Sequence, residues 1–434
     1  MRHIVDIHVH SKFSRATSRD MVLPNMYHWA QLKGIDLLGT GDFTHPGWME
    51  HIKEHLEPLG NGLFALRQKY KDQSPILPRA RRNDPKFILS VEISCIYSKN
   101  DAVRRVHMLV CAPDIAVAEK INACLAEIGN IKADGRPILG LDAKELLKIC
   151  LTASPETLVI PAHAWTPWFA VFGSKSGFDT LRGCFEELTP YIPAIETGLS
   201  SDPAMNWRLK QLDNITLISN SDAHSPRKLA REATVMNISE DKLSYVEIAR
   251  IIREKDPRGL AYTIEFFPEE GKYHHDGHRT CKVHCTPDQT KKYKGICPQC
   301  GRPLTVGVLN RIDALADRPL GEKPDNAPPF RSIVPLEDII AECFAVGSGS
   351  KKVQNEYRKL TENIASEFDL LLESSLQHLK EFTDEKIIQA IDKVRSGNIF
   401  IEPGYDGVYG VVKVFSPTER AQAVDQQPSL FDTL

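Results

Sequence analysis

The sequence predicts an α/β fold, with a strand–helix barrel over residues 1–268, a zinc-binding module over 269–318, a mainly helical domain over 319–415 and a disordered tail over 416–434. Three observations carry this reading. Strand and helix patterns alternate from Met1 to about Met236, with apolar runs such as Thr157-Leu158-Val159-Ile160 and Ile215-Thr216-Leu217-Ile218-Ser219. Five strand ends carry histidine, aspartate or glutamate. Two cysteine pairs then interrupt the pattern, and helical periodicity follows them.

Composition agrees. A chain of 434 residues is too long for one ordinary core, and 42% apolar with 26% charged residues describes a soluble globular protein of two or three domains. No apolar run is long enough to cross a bilayer, and the first strand begins too early for a signal peptide, so a cytoplasmic protein without membrane contact is expected. Of ten cysteines, Cys95, Cys111, Cys124, Cys150, Cys184 and Cys343 sit in apolar surroundings, as reduced core residues do.

The strand ends come in the order Asp6-Ile7-His8-Val9-His10, Gly41-Asp42-Phe43-Thr44-His45, Val91-Glu92, Pro161-Ala162-His163 and Ser221-Asp222-Ala223-His224. Residues two apart on a strand share a face, so His8 and His10 can address one ion, as can Asp222 and His224. Imidazole and carboxylate suit zinc, manganese or iron, and ions held a few ångströms apart suit phosphoester hydrolysis. Carboxylates can span two ions and imidazole cannot, which makes Asp222 and Glu92 the bridging candidates. His107, within the apolar run 104–110, also fits a satisfied core histidine when read alone.

After a helix at about 240–255 and a strand at 260–266 comes Cys281-Lys282-Val283-His284-Cys285, then Cys297-Pro298-Gln299-Cys300. Cys281, Cys285, Cys297 and Cys300 supply four thiolates for a closed structural zinc, with His284 or His278 as substitutes. A proline-rich connector, 319–335, precedes helical patterns at 336–344 and 351–379.

The net charge of −3 hides two basic stretches. Residues 67–105 and 271–311 each carry +6, which leaves the remainder near −15. Basic patches on an acidic body favour a polyanion held at defined places. Arg79, Arg81, Arg82, Lys291 and Lys292 are candidates, as are Lys351 and Lys352 after the turn Gly347-Ser348-Gly349-Ser350. Trp165 and Trp168 after His163, and Tyr405 in a glycine-rich loop, offer aromatic faces for a nucleobase or for packing.

The order of the five motifs resembles the polymerase and histidinol phosphatase (PHP) family. This likeness implies a distorted (β/α)7 barrel with His8, His10, Glu92, His107, His163, Asp222 and His224 as ligands, and Asp42 or His45 as one more. It also implies two or three divalent ions (Zn, Mn, Mg or Fe), with Asp222, Glu92 and His163 carrying catalysis. Over Met1 to Phe415 the chain resembles the endonuclease Q family, which implies a monomeric, nucleoid-associated DNA repair enzyme. It would nick 5′ to uracil, hypoxanthine, xanthine or an abasic site, leaving a 3′-hydroxyl and a 5′-phosphate. Gln427, Ser429, Leu430 and Phe431 at the tail resemble the peptide that binds the replication sliding clamp, with Pro428 where leucine is usual. The rival readings are a small-molecule phosphate monoesterase and a non-catalytic, clamp-associated DNA-binding protein.

Overall fold

The computed structural model describes residues 1–72 and 83–420. Its centre is a mixed sheet of eleven strands. Strand Arg2–Asp6 runs parallel to Leu37–Gly39 on one side and antiparallel to Ala233–Asn237 on the other. Beyond Leu37–Gly39 lies Lys86–Lys99, also parallel, and beyond Ala233–Asn237 lies Leu260–Glu265, antiparallel. The long hairpin of Lys86–Lys99 with Ala102–Ala112 carries the sheet round to Leu158–Pro161. Ala194–Glu196 and Thr216–Ile218 form a separate parallel pair, and a bridge between Val9 and Ala223 ties the segment after it to the first strand.

Apolar side chains dictate which residues face which layer. Val5, Ile7, Leu37, Ile88, Leu109, Ile160 and Ile218 pack with Ile248, Ile251 and Ile252 of helix Tyr245–Glu254. Each fully buried side chain of this size contributes about 1.5–3 kcal/mol. Ser244 caps that helix through Glu247 N–H, and the Tyr245 hydroxyl donates to Cys111 C=O at 2.8 Å, which pins the helix to the strands. A second, larger core covers the outer helices and continues into the C-terminal domain.

That domain is locked to helix Leu23–Lys33 by a buried ion pair, Lys33 to Glu367 at 2.9 Å, with the Tyr357 hydroxyl donating to the same carboxylate. Removing either charge would leave the other unpaired in the interior, at a cost of about 3–5 kcal/mol. Three expectations change here. The proline-rich connector supplies strand Phe330–Ser332, which extends the central sheet beside Leu260–Glu265. The helical pattern 351–379 divides into Lys351–Asn363, a π turn Asp369–Glu373 and Leu376–Leu379, because Ser366 exchanges hydrogen bonds with Asp369 and starts a new turn. Cys124 lies on the exposed side of its helix, whereas the other five isolated cysteines are buried.

Candidate metal centre

The strand ends converge. His8, His10, Glu92 and Asp222 place ligand atoms within 4.8 Å of one another, and Glu92, His107 and His163 form a second such group. Glu92 belongs to both. Its Oε1 lies 2.7 Å from His107 Nδ1 and 2.9 Å from His163 Nε2, while Oε2 lies 3.3 Å from His10 Nε2. Asp222 Oδ1 stands 3.0 Å from His10 Nε2. Main-chain torsions aim these groups: Asp42, His163 and Asp222 hold φ at 49°, 28° and 47°, conformations that side chains other than glycine adopt only where the surroundings enforce them. Gly198 is one enforcer, since a Cβ there would sit 2.6 Å from that of His163.

Each ring is oriented by a partner on its far side. His8 Nδ1–H donates to Glu196 at 2.8 Å, and Glu196 is itself held by Asn220 Nδ2 at 2.8 Å and His163 N–H at 3.0 Å. His10 Nδ1 faces Asp42, whose carboxylate also accepts from Ser11 and Ser14. His224 Nδ1–H donates to the Asp222 carbonyl at 2.9 Å. In His8 and His10 the remaining Nε2 is therefore turned toward the centre, the arrangement that raises imidazole basicity toward a cation, whereas His224 packs on His10 outside both ligand groups. Asp42 thus acts behind His10, and His45 stacks on Phe13 at 4.1 Å outside both ligand groups. Glu196 and Arg136, which donates to Glu92 Oε2 at 3.0 Å, were not singled out by the sequence reading. Glu196 ends the apolar run Ala194-Ile195-Glu196 and could have been found by the same rule as the others, whereas Arg136 lies in a loop that offers no such pattern.

Electrostatics point to cations. Burial opposes charge on His8, yet Glu196 and Glu92 hold it well above the usual imidazole range, and His10 is raised likewise by Asp222, Asp42 and Glu92. Burial would raise Glu92, but His107, His8 and His10 hold it well below the carboxylate range. Burial pushes His107 down to about 4, against the pull of Glu92. The orphan is His8 Nε2, buried without a hydrogen-bond partner and 3.7 Å from both Glu92 Oε1 and Asp222 Oδ1. Those gaps are too long for hydrogen bonds and suit an ion between the three atoms, so the residues present fit divalent metal.

Three of the four cysteines group with His278, which the sequence offers as a substitute ligand. Cys281, Cys297 and Cys300 group with His278, and Cys300 Sγ lies 3.4 Å from His278 Nδ1. Cys285 falls outside that group, because its strand Val283–Cys285 pairs it with Asp276 at the far end of the hairpin and buries it against Cys297 and Leu304. Burial pushes the Cys297 thiol up, but the N–H groups of Gln299 and Cys300 prevail and bring it to about 7.

The nucleic-acid candidates divide. Trp165 is a core residue, buried against Phe172 with Nε1–H donating to Asn206, so it presents no face to a base. Tyr405 stacks on His284, and in its loop the exposed ring belongs to Tyr409. Trp168 and Tyr409, with Tyr273, Lys272 and His274, line a cavity of about 360 Å³ that also reaches His163 and Asp222. Lys291 is paired to Asp313 at 2.6 Å, Lys292 and Lys351 are exposed, and Lys352 caps the Phe344 ring. Ser350 caps the helix that carries Lys351 and Lys352, as an ordinary junction does. Arg79, Arg81, Arg82, Gln427, Ser429, Leu430 and Phe431 lie outside the described residues.

Fold and site define a strand-end histidine–carboxylate centre with a cavity beside it and a thiol cluster nearby. Solved structures share the fold. The lesion-specific endonuclease PfuEndoQ of Pyrococcus furiosus superposes with a TM-score of 0.82 at 29% identity, covering 98% of each chain. An endonuclease Q bound to a 27-mer duplex with an abasic lesion at its active site gives 0.81, also at 29% identity, over 100% of both chains. The chain resembles endonuclease Q throughout its length. Among curated proteins, YqxK of Bacillus subtilis, an uncharacterized protein, is 27% identical over 385 residues, 88% of this chain and 89% of its own. The uncharacterized protein MJ0043 of Methanocaldococcus jannaschii is 29% identical over 262 residues; the match spans 59% of this chain and only 32% of that relative. Residues 335–398 match the family described as the MJ0043 C-terminal domain. Among the described residues no helix is long and apolar enough to cross a membrane.

Proposed function

We propose that this chain is a metal-dependent DNA repair endonuclease that hydrolyses the phosphodiester on the 5′ side of a deaminated base or an abasic site. The observation that carries the reading is the shared Glu92, flanked by two nitrogen-rich groups, beside a cavity lined by Trp168 and Tyr409. His8, His10, Glu92 and Asp222 would hold one divalent ion and Glu92, His107 and His163 another, with His224 at the exposed rim. Bound there, such ions supply Lewis acidity toward the phosphodiester and make water acidic enough to ionise near neutral pH. Hydrolysis adds the water oxygen to phosphorus and breaks the P–O3′ bond; the 3′ oxygen departs with a proton as a hydroxyl, and the phosphate stays on the 5′ end.

The protein's own part is to fix geometry and receive the nucleotide. Glu196 and Asp42 hold the His8 and His10 rings in one tautomer. The cavity lies within the 300–1,000 Å³ or so typical of small-ligand pockets, and it admits an extruded nucleoside, whose unpairing costs least at a lesion. The strand ends read as those of a distorted seven-stranded PHP barrel. One zinc would bind Cys281, Cys297 and Cys300 with His278 or Cys285. Recruitment by the sliding clamp through Gln427, Ser429, Leu430 and Phe431, a monomeric state and a place at the nucleoid complete the proposal. The deciding assay incubates the protein with Mn²⁺ or Mg²⁺ and duplexes carrying uracil, hypoxanthine, an abasic site or no lesion, alongside a generic phosphate monoester. Selective nicking is expected; hydrolysis of the monoester alone, or DNA binding without cleavage, would sink the reading.

A further inference from the structure

We infer that Arg136 is a phosphate-binding catalytic residue, whose guanidinium meets a non-bridging oxygen of the scissile phosphodiester beside Glu92. The inference rests on the endonuclease reading above.

Four observations carry it. Arg136 sits on the loop between helix Ile115–Ile128 and strand Ile138–Leu139, and its Nη1–H donates to Glu92 Oε2 at 3.0 Å. Among the described side chains it is the one lysine or arginine paired with a carboxylate of the two ligand groups that share Glu92. The loop is fixed in place: Gly135 N–H donates to Phe13 C=O at 3.0 Å, Ser94 N–H to Pro137 C=O at 3.0 Å, and Arg136 N–H to Asp134 Oδ1 at 3.0 Å. A Cβ on Gly135 would fall 2.2 Å from Asp42 Oδ2, so the backbone passes as close to the carboxylate behind His10 as glycine permits. The side chain is three-quarters buried beside Glu92, and among the described residues Glu92 is the single side-chain acceptor it meets.

A guanidinium has five N–H donors in a rigid fork, which matches phosphate oxygens two at a time. Only Nη1 is engaged here. A fixed positive charge 3.0 Å from a carboxylate shared by two candidate cation sites repels those cations, so a residue kept merely to support metal binding is poorly served by arginine. The cost reverses once a dianionic phosphorane-like transition state occupies the centre, because the charge then acts in a partly dry, preorganised setting.

The test uses the full-length protein, with Arg136→Ala and Arg136→Lys. We expect kcat to fall by about 10²-fold for Arg136→Ala, with Arg136→Lys recovering part of it. Metal content by mass spectrometry should stay at the parent's level. The binding readout, taken in EDTA, compares a lesion duplex with the same duplex carrying one uncharged methylphosphonate at the scissile position. The parent should lose about tenfold in affinity on that change and Arg136→Ala should lose none, as expected for removal of one charge-assisted contact. Metal loss in step with the rate would overturn the inference and make Arg136 a support for Glu92, and an equal methylphosphonate effect in parent and variant would also overturn it. A parent that nicks no lesion duplex would instead reject the endonuclease reading, which keeps the two failures apart.

Discussion

The strand-end centre and the cysteine cluster are both candidate metal sites, yet they are built in opposite ways. The strand-end residues arrive from positions as far apart as His8 and Asp222, each is buried or partly so, and His8 and His10 have a partner behind them in Glu196 and Asp42. The cysteine group lies within residues 278–300, Cys300 is exposed, and the apolar cluster beneath it consists of Cys285, Cys297 and Leu304 with a few half-buried neighbours. The sheet therefore holds the first site in shape by itself. The second has too small a core to hold its own, so metal binding and local folding should be one event there.

The largest effects are expected at the strand-end candidates. Asp222→Asn or His8→Ala should lower nicking by orders of magnitude while the far-UV spectrum and melting temperature stay near the parent's, because the sheet and not the ion holds the pocket. Near-normal cleavage despite reduced metal content would reject the site. One layer out, Glu196→Gln keeps the shape of the hydrogen-bond network and removes its charge behind His8, and a loss of about 10–100-fold in metal affinity or rate is expected. A variant indistinguishable from the parent in a metal titration would show that Glu196 serves only to link Asn220 and His163.

At the cysteine cluster the order of events should invert. Cys297→Ser with Cys300→Ser should remove one zinc, raise amide exchange locally and weaken DNA binding, while the barrel metals stay. Single variants sharpen this further: His278→Ala should release the zinc and Cys285→Ser should keep it if the grouping seen here is the ligand set. The reverse result would return the fourth place to Cys285. Unchanged zinc in the double variant would end the assignment altogether.

What was legible in the sequence follows the same division. His8, His10, Glu92, His163 and Asp222 could be read because strand alternation ties a residue's position to the face it presents, and apolar runs before each motif mark the strand end. Glu196 obeys that rule as well, ending the short run Ala194-Ile195-Glu196, and was legible on the same ground as Glu92 and His163. Arg136 was invisible, since its place depends on its own long-range contact to Glu92 and on those of the neighbouring Gly135 to Phe13 and Asp42, which no local pattern encodes. Trp165 and Trp168 show the limit of local reading from the other side. Three residues apart and equally aromatic, one is sealed in the core beside Phe172 and the other faces the cavity, and only the tertiary turn at Pro167 separates their fates.

The smallest effect on cleavage, and the cleanest separation from both metal sites, is expected at the tail. Gln427, Ser429, Leu430 and Phe431 follow, by sequence, the last elements among the described residues, so their substitution should leave the strand-end centre and the cysteine cluster untouched. Leu430→Ala with Phe431→Ala removes two apolar anchors, each worth about 1.5–3 kcal/mol when fully buried in a partner's pocket, and clamp affinity should fall by at least about tenfold. Nicking of a short lesion duplex, which offers no clamp to load, should not change. Calorimetry or fluorescence polarisation against the purified clamp, run beside that nicking assay, measures both. Equal clamp affinity in parent and variant would mean that the tail's likeness to a clamp peptide is coincidental, with Pro428 at the usual leucine position as the first reason to expect it; a parallel loss of nicking would mean that the tail reaches the catalytic region and that the two functions are not separable.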